Sequence, residues 1–173
     1  MNNQIQYSLV KRPLSPFYLF ICILVIYSSG YAQENPPRPI QVKVNTLQHL
    51  SFGTFIQGGN YGTVTVDYTG TRTASGSIIL PGMYSLVTPA LFEITAIPGT
   101  LITISNGPTA TLTSSSSGTL SLTIGASSKG SPFITTGVTT LVYIGGTLVV
   151  KDLISSNPAG LYSGTFDVTF IQQ

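Results

Sequence analysis

The sequence predicts an all-β protein that is exported through a signal peptide and folds as one small domain. Three observations predict it. Apolar and polar residues alternate with a period of two in several segments, turn-forming residues separate these segments, and a positively charged start precedes a short apolar run. Only 7% of the residues are charged, against roughly 25% in an average soluble domain, and Ser, Thr and Gly take their place.

Residues 1–32 have the parts of a cleavable signal peptide. Lys11 and Arg12 supply the positive charge, residues 17–27 form the apolar run, and the small residue Ala32 precedes the expected cleavage point. The apolar run is shorter than the roughly 20 residues that span a bilayer. We therefore expect no stable membrane span after cleavage, and a location in the periplasm, on the outer surface or outside the cell.

The expected mature chain, residues 33–173, has no cysteine, so its domain must be stable without disulfides. Its basic and acidic side chains are equal in number, which leaves no basic surface for nucleic acid, and we expect none as a partner. These side chains are Arg38, Lys43, Arg72, Lys129 and Lys151 against Glu34, Asp67, Glu93, Asp152 and Asp167.

The mature chain divides into a short leader and a single β-domain. Residues 33–38 predict an extended leader, because adjacent prolines exclude a helix. Residues 39–173 predict the domain, whose first strand alternates Ile40, Val42 and Val44 with polar residues. We expect this strand to pack on its own chain, near the closing strand. Donation of this strand to a neighbouring subunit is not favoured because the leader is short, and self-assembly is possible but not expected.

Later segments repeat the alternation. Strands are predicted at 63–68 and 120–124, and the most regular pattern closes the chain at 162–170. In that closing segment Phe166, Val168 and Phe170 share one face, so we expect them to be buried together. Turn chemistry separates the strands, and many short strands so connected indicate a sandwich or a barrel. The predicted turns are 58–60, 69–70, 81–82, 98–99, 106–108, 130–132, 145–146 and 157–160.

No group of residues in the sequence predicts an active site. His49 is the only histidine, and a zinc site needs three or four ligands. The acids are scattered, no nucleophile elbow occurs, and the glycine-rich segment 58–62 leads into a strand and not into a helix that could bind phosphate. We expect no enzyme, no metal and no cofactor. Tyr61 and Tyr84, on predicted loops, are the candidate binding residues, since exposed tyrosines stack on sugars or contact partners; the alternative is that they cover strand edges.

An ordered series of motifs runs through the domain and resembles the bacterial family called domain of unknown function 4402. The resemblance implies an exported Gram-negative protein with an immunoglobulin-like, antiparallel β-sandwich of Greek-key type and no catalytic residues. More distantly, the chain resembles fimbrial and spore-coat-U-type subunits, but it has no subunit-type disulfide. The motifs are Pro39-Ile40, Leu50-Ser51-Phe52-Gly53-Thr54, Gly62-Thr63-Val64-Thr65-Val66, Gly70-Thr71-Arg72, Ala90-Leu91-Phe92-Glu93-Ile94, Gly145-Gly146-Thr147-Leu148 and the segment from Ala159 to Thr169.

Three functions remain open from the sequence. The expected one is a non-enzymatic exported structural or surface protein, of the fimbria-like or adhesive class, with other surface proteins or glycans as partners. An alternative is a carbohydrate- or partner-binding β-sandwich that uses the loop tyrosines Tyr61 and Tyr84. The third is a hydrolase with an unrecognised site, because sandwiches also carry enzymes.

Overall fold

The computed structural model describes residues 39–44, 48–82, 85–151 and 157–173. These residues form antiparallel strands and turns, with no helix among them. The all-β prediction is therefore confirmed. The expected signal peptide, 1–32, and the expected leader, 33–38, lie outside the described residues.

The described residues form strands that are numbered in chain order. They are β1 (Gln41–Val44), β2 (Ser51–Phe52), β3 (Ile56–Val66), β4 (Arg72–Ile79), β5 (Val87–Thr88), β6 (Ala90–Thr95), β7 (Leu101–Asn106), β8 (Ala110–Ser114), β9 (Thr119–Ser127), β10 (Phe133–Ile134), β11 (Thr139–Val150), β12 (Tyr162–Ser163) and β13 (Val168–Gln172).

The largest sheet is built around β11, the longest strand. One edge of β11 pairs with β6 through residues 139–144 and with β3 through residues 146–150. Its other edge pairs with β9, and the sheet continues to β8 and β12. β1 lies beyond β6 at one edge, and β4 lies beyond β3. β11 is thus the strand on which most of the sheet is assembled.

A three-stranded sheet, in the order β10-β7-β13, packs across the core from the large sheet. The rings of Phe92 on β6 and Phe170 on β13 lie 5.4 Å apart between centroids, with a 55° tilt that suits an aromatic pair. Fully buried aliphatic side chains from both sheets, such as Ile144 and Ile102, form one continuous cluster. The result is a β-sandwich, in which the inner faces of two sheets share one core.

The alternation predicted at 63–68 and 120–124 corresponds to burial within β3 and β9. Val64, Val66, Leu120, Leu122 and Ile124 are buried, and the residues between them are not. Period-two patterning therefore identified the inner face of both strands, but the predicted strand 63–68 was too long: β3 ends at Val66, and Tyr68 is exposed in the turn that follows.

The closing segment keeps its predicted phase but differs in two respects. It forms two strands, because β12 pairs with β8 in the large sheet and β13 pairs with β7 in the small one. The chain therefore crosses between sheets over residues 164–167. Phe166, Val168 and Phe170 pack together against the core, as predicted, but they are only partly buried. They lie at the edge of the sandwich, where fewer neighbours cover them.

The first strand pairs with β6 of the same chain and not with the closing strand. Val42 lies opposite Ile94, and Lys43 lies opposite Glu93, with Nζ 3.8 Å from the carboxylate. The prediction that the first strand lies next to the closing segment 162–170 is therefore wrong, because the strand that pairs with β1 is β6. Phe92 of β6 nevertheless contacts Phe170, so β1 is one strand away from that contact.

Two predicted turns are instead parts of strands. Residues 58–60 lie within β3, where the register shifts so that residues 58–61 oppose the single residue Ser77 of β4. Gly76 sits beside this bulge with φ +67°, and a Cβ there would collide with the carbonyl oxygen of Tyr61. Gly145 lies inside β11, and a Cβ there would collide with the carbonyl oxygen of Val66. In both places glycine permits close approach of two strands. Glycine is also common in turns, so the sequence alone does not distinguish the two roles.

Candidate binding surface

Tyr61 projects from the bulge in β3 and is 53% exposed. Its strand is fixed to β4 on both sides of the bulge, by the pairs Gln57–Ile78 and Gly62–Gly76. The aromatic ring is therefore presented by a bulge between two paired segments of a strand. The sequence had predicted a loop at this position. Tyr84, the second candidate, lies outside the described residues.

Two further apolar side chains are exposed on the same pair of strands. Ile56 and Ile79 lie directly opposite each other, and both are more exposed than buried. Directly opposed residues of an antiparallel pair point to the same face, so the two isoleucines are adjacent. We call Ile56, Tyr61 and Ile79 the ribbon surface. Strands β3 and β4 themselves contain no charged residue except Arg72, at the end far from the isoleucines.

The far end of the ribbon is a turn organised by Asp67. Its Oδ1 accepts hydrogen bonds from the Thr69 amide at 2.8 Å, the Thr71 amide at 2.9 Å and the Thr69 hydroxyl at 2.6 Å. The hydroxyl of Thr69 is the largest cause of a lowered pKa of Asp67, and the backbone amides add to it. This carboxylate stabilises the turn that joins β3 to β4.

Two shallow hollows lie on either side of Gly125 and Ala126. One, of about 150 Å³, includes Asp67 and Tyr68 in its lining; the other, of about 200 Å³, includes Asn106. The amide of Asn106 donates to the carbonyl oxygen of Gly125 at 3.0 Å and so ties β7 to β9. Each hollow is smaller than the roughly 300–1,000 Å³ of typical small-molecule sites. Tyr68, at 42% exposure, is the second exposed tyrosine of this part of the molecule.

The only histidine of the sequence and the two serines at the end of β9 form hydrogen bonds within the fold. His49 is exposed, and its carbonyl oxygen accepts from the Thr88 hydroxyl at 2.7 Å. Ser127 donates to the carbonyl oxygen of Gly130, and Ser128 accepts from the amide of Tyr143. Across the described ranges, no three His, Cys, Asp or Glu residues are close enough to hold a metal ion.

The structure also shows a set of hydrogen bonds around Arg72 that the sequence did not predict. Arg72 Nη1 donates to the carbonyl oxygens of Phe52 at 2.8 Å and Thr54 at 2.9 Å, and lies 3.3 Å from the Ser85 hydroxyl. It thereby joins the motif at 50–54 to the motif at 70–72. Motif order alone placed both segments in the domain, but no local pattern indicated that they meet.

Comparisons with known proteins identify a family. A family model described as "Domain of unknown function (DUF4402)" matches residues 42–171. The chain matches no curated protein and no solved structure. In the described part of the chain, no helix has the length and apolar character needed to cross a membrane.

Proposed function

The chain belongs to the family of domains of unknown function 4402, and from that premise we propose that it is a non-enzymatic exported protein with a structural or adhesive role at the cell surface. The export part of the proposal rests on the signal-peptide pattern of residues 1–32. Intact-mass analysis of the exported protein tests it: a chain that begins at Gln33 is expected, and a full-length chain retained in the membrane would contradict it.

The ribbon surface is the observation that supports the adhesive role. Ile56, Tyr61 and Ile79 expose apolar area to water, and removing such area from water on contact with a partner is favourable. The backbone beneath them is paired on both sides of the bulge, so little ordering cost opposes contact.

The test is the adhesion of beads coated with the full chain to cells of the bacterium that produces it. The double substitution Ile56→Ser and Ile79→Ser should abolish bead retention, because it removes the exposed apolar pair. The matched control is Thr111→Ser with Thr113→Ser, two exposed positions of β8 far along the sheet. Equal retention of both double variants and the wild type would contradict the adhesive role of the ribbon surface.

A second candidate function is carbohydrate binding through Tyr61, which the exposure of its ring favours. An exposed aromatic face beside uncharged residues suits a neutral sugar, whose ring carbons stack on it. An array of neutral oligosaccharides tests this. Tyr61→Ala should lose the signals, Tyr61→Phe should keep them, and Tyr68→Ala should leave them unchanged. Loss with Tyr68→Ala instead would move the site to the hollow at Asp67 and Tyr68.

A further inference from the structure

β13 is an open edge of the three-stranded sheet. Among the described residues it pairs with β7 alone. The amide of Gln173 donates to the carbonyl oxygen of Leu101 at 3.0 Å. The carbonyl oxygen of Asp167 accepts from the amide of Gly107 at 2.9 Å. Antiparallel hydrogen bonds alternate along a strand, so the odd-numbered residues bond to β7. The N–H and C=O groups of Val168, Phe170 and Gln172 therefore point to the open side.

The other described edge strands have features that oppose pairing with another chain. β1 has only four residues and presents Lys43, whose side chain is 78% exposed. β4 is interrupted by Gly76 in the left-handed region. β2, β5, β10 and β12 have two residues each. Lysines, short length and backbone irregularity are the devices by which sheet edges avoid association, and β13 has none of them.

The side chains around β13 also leave apolar area uncovered. On its inner face Val168 and Phe170 are half-buried, although they point toward the core. On the outer face Ile171 is exposed, as are Leu101 of β7 and Ile134 of β10, which lie opposite each other. An additional strand beside β13 would flank Val168, Phe170 and Ile171, whereas Leu101 and Ile134 lie on the other side of β13 and would stay exposed.

Charge favours a second copy of this chain as that additional strand. β7, β10 and β13 contain no charged residue, so two such sheets meet without like-charge repulsion. Residues 39–173 also have zero net formal charge, which removes the long-range repulsion that keeps charged domains apart. The basic and acidic residues that cancel are Lys43, Arg72, Lys129 and Lys151 against Asp67, Glu93, Asp152 and Asp167.

We propose that β13 pairs antiparallel with β13 of a second copy about a twofold axis, so that the two three-stranded sheets become one six-stranded sheet. With the axis at Phe170, this residue faces its own counterpart and Val168 faces Gln172, so the open N–H and C=O groups are all satisfied. Each domain keeps its own strands, so the pairing differs from the donation of β1. Because the contact uses the open edge of both copies, assembly stops at the dimer and does not continue into a polymer.

Sedimentation velocity of the full chain over a wide concentration range tests the proposal. The wild type should form a dimer. Gln172→Pro should be monomeric, because proline removes an N–H that points to the open edge and bonds to nothing in β7. Gln172→Ala keeps this N–H and should remain dimeric. Urea unfolding of each variant's monomer at low concentration checks that the fold persists.

A charge substitution provides an independent test should the proline variant fail to fold. Ile171→Lys places two cations near the twofold axis and should raise the dimer dissociation constant by about tenfold or more. Thr73→Lys, an exposed position on β4, should not change it. A wild type that is monomeric at every concentration, a wild type that forms longer polymers, or an Ile171→Lys variant that dimerises as the wild type does would each overturn the proposal.

Discussion

Arg72 allows the sharpest test of what stabilises this sandwich. Its Nη1 donates to the carbonyl oxygens of Phe52 and Thr54, which flank Gly53 in the left-handed region at φ +64°. No carboxylate in the described ranges pairs with the guanidinium, so its role there is to bond the backbone. Arg72→Met keeps much of the length and apolar contact of the side chain and removes the donor.

The expected cost of Arg72→Met follows from the two carbonyl groups. Hydrogen bonds that involve a charged group contribute about 1.5–3 kcal/mol each in mutational series. Arg72 is half-buried and Thr54 is exposed, so water replaces part of that bond, whereas Phe52 is buried. We therefore expect a loss of about 2–3 kcal/mol in the free energy of unfolding, and little change in the urea m-value.

The measurement is urea unfolding followed by far-ultraviolet circular dichroism. Lys129→Met is the matched control, because Lys129 is exposed at a turn, and its cost should stay within about 0.5 kcal/mol. Arg72→Lys should lie between the two, since one ammonium on a shorter stem reaches both carbonyl groups less well. A loss for Arg72→Met no larger than that of the control would refute the claim that this side chain holds the two motifs together.

Four further predictions concern single groups. Thr140→Val should stabilise the domain by about 1 kcal/mol in urea melts, because the buried Thr140 hydroxyl has no hydrogen-bond partner. Tyr162→Phe should cost about 1 kcal/mol, through loss of the 2.7 Å bond from its hydroxyl to the carbonyl oxygen of Pro158. Asp67 should titrate below the ordinary pKa of about 3.9 in carboxyl-carbon NMR; its contribution to stability is then present above that value and lost as the pH falls through the lower folded pKa. Phe166→Ala should cost about 2 kcal/mol, less than the 3–5 kcal/mol of a fully buried aromatic, because Phe166 is half-buried.

The sequence was sufficient where a physical rule acts locally. Alternation in 63–68 and 120–124 identified the inner faces of β3 and β9, because neighbouring side chains on a strand must point to opposite sides. The turn at Pro98-Gly99 was predicted by the same local logic and is present between β6 and β7. In such segments the chemistry of adjacent residues decides the structure.

The sequence was insufficient where two distant segments meet. Glycine is required at 76 and 145 because the carbonyl oxygens of Tyr61 and Val66 approach from other strands. The sequence placed Gly145 in a turn and made no prediction for Gly76. Tyr61 was likewise assigned to a loop because Gly58 and Gly59 precede it. The candidate surface therefore needed the structure: Ile56 and Ile79 are far apart in the chain, and their register makes them neighbours.

The closing segment shows how one physical fact governs both stability and contact with other molecules. An alternation with a period of two indicates which face of the sheet a side chain occupies. How deeply that side chain is buried depends on how many strands lie beyond its own. β13 has β7 on one side and, among the described residues, no strand on the other, so Val168 and Phe170 point to the core and stay half-buried. The open backbone groups and the incomplete burial thus have the same cause. A partner strand beside β13 would complete both at once, so association there and the burial of these residues should change together.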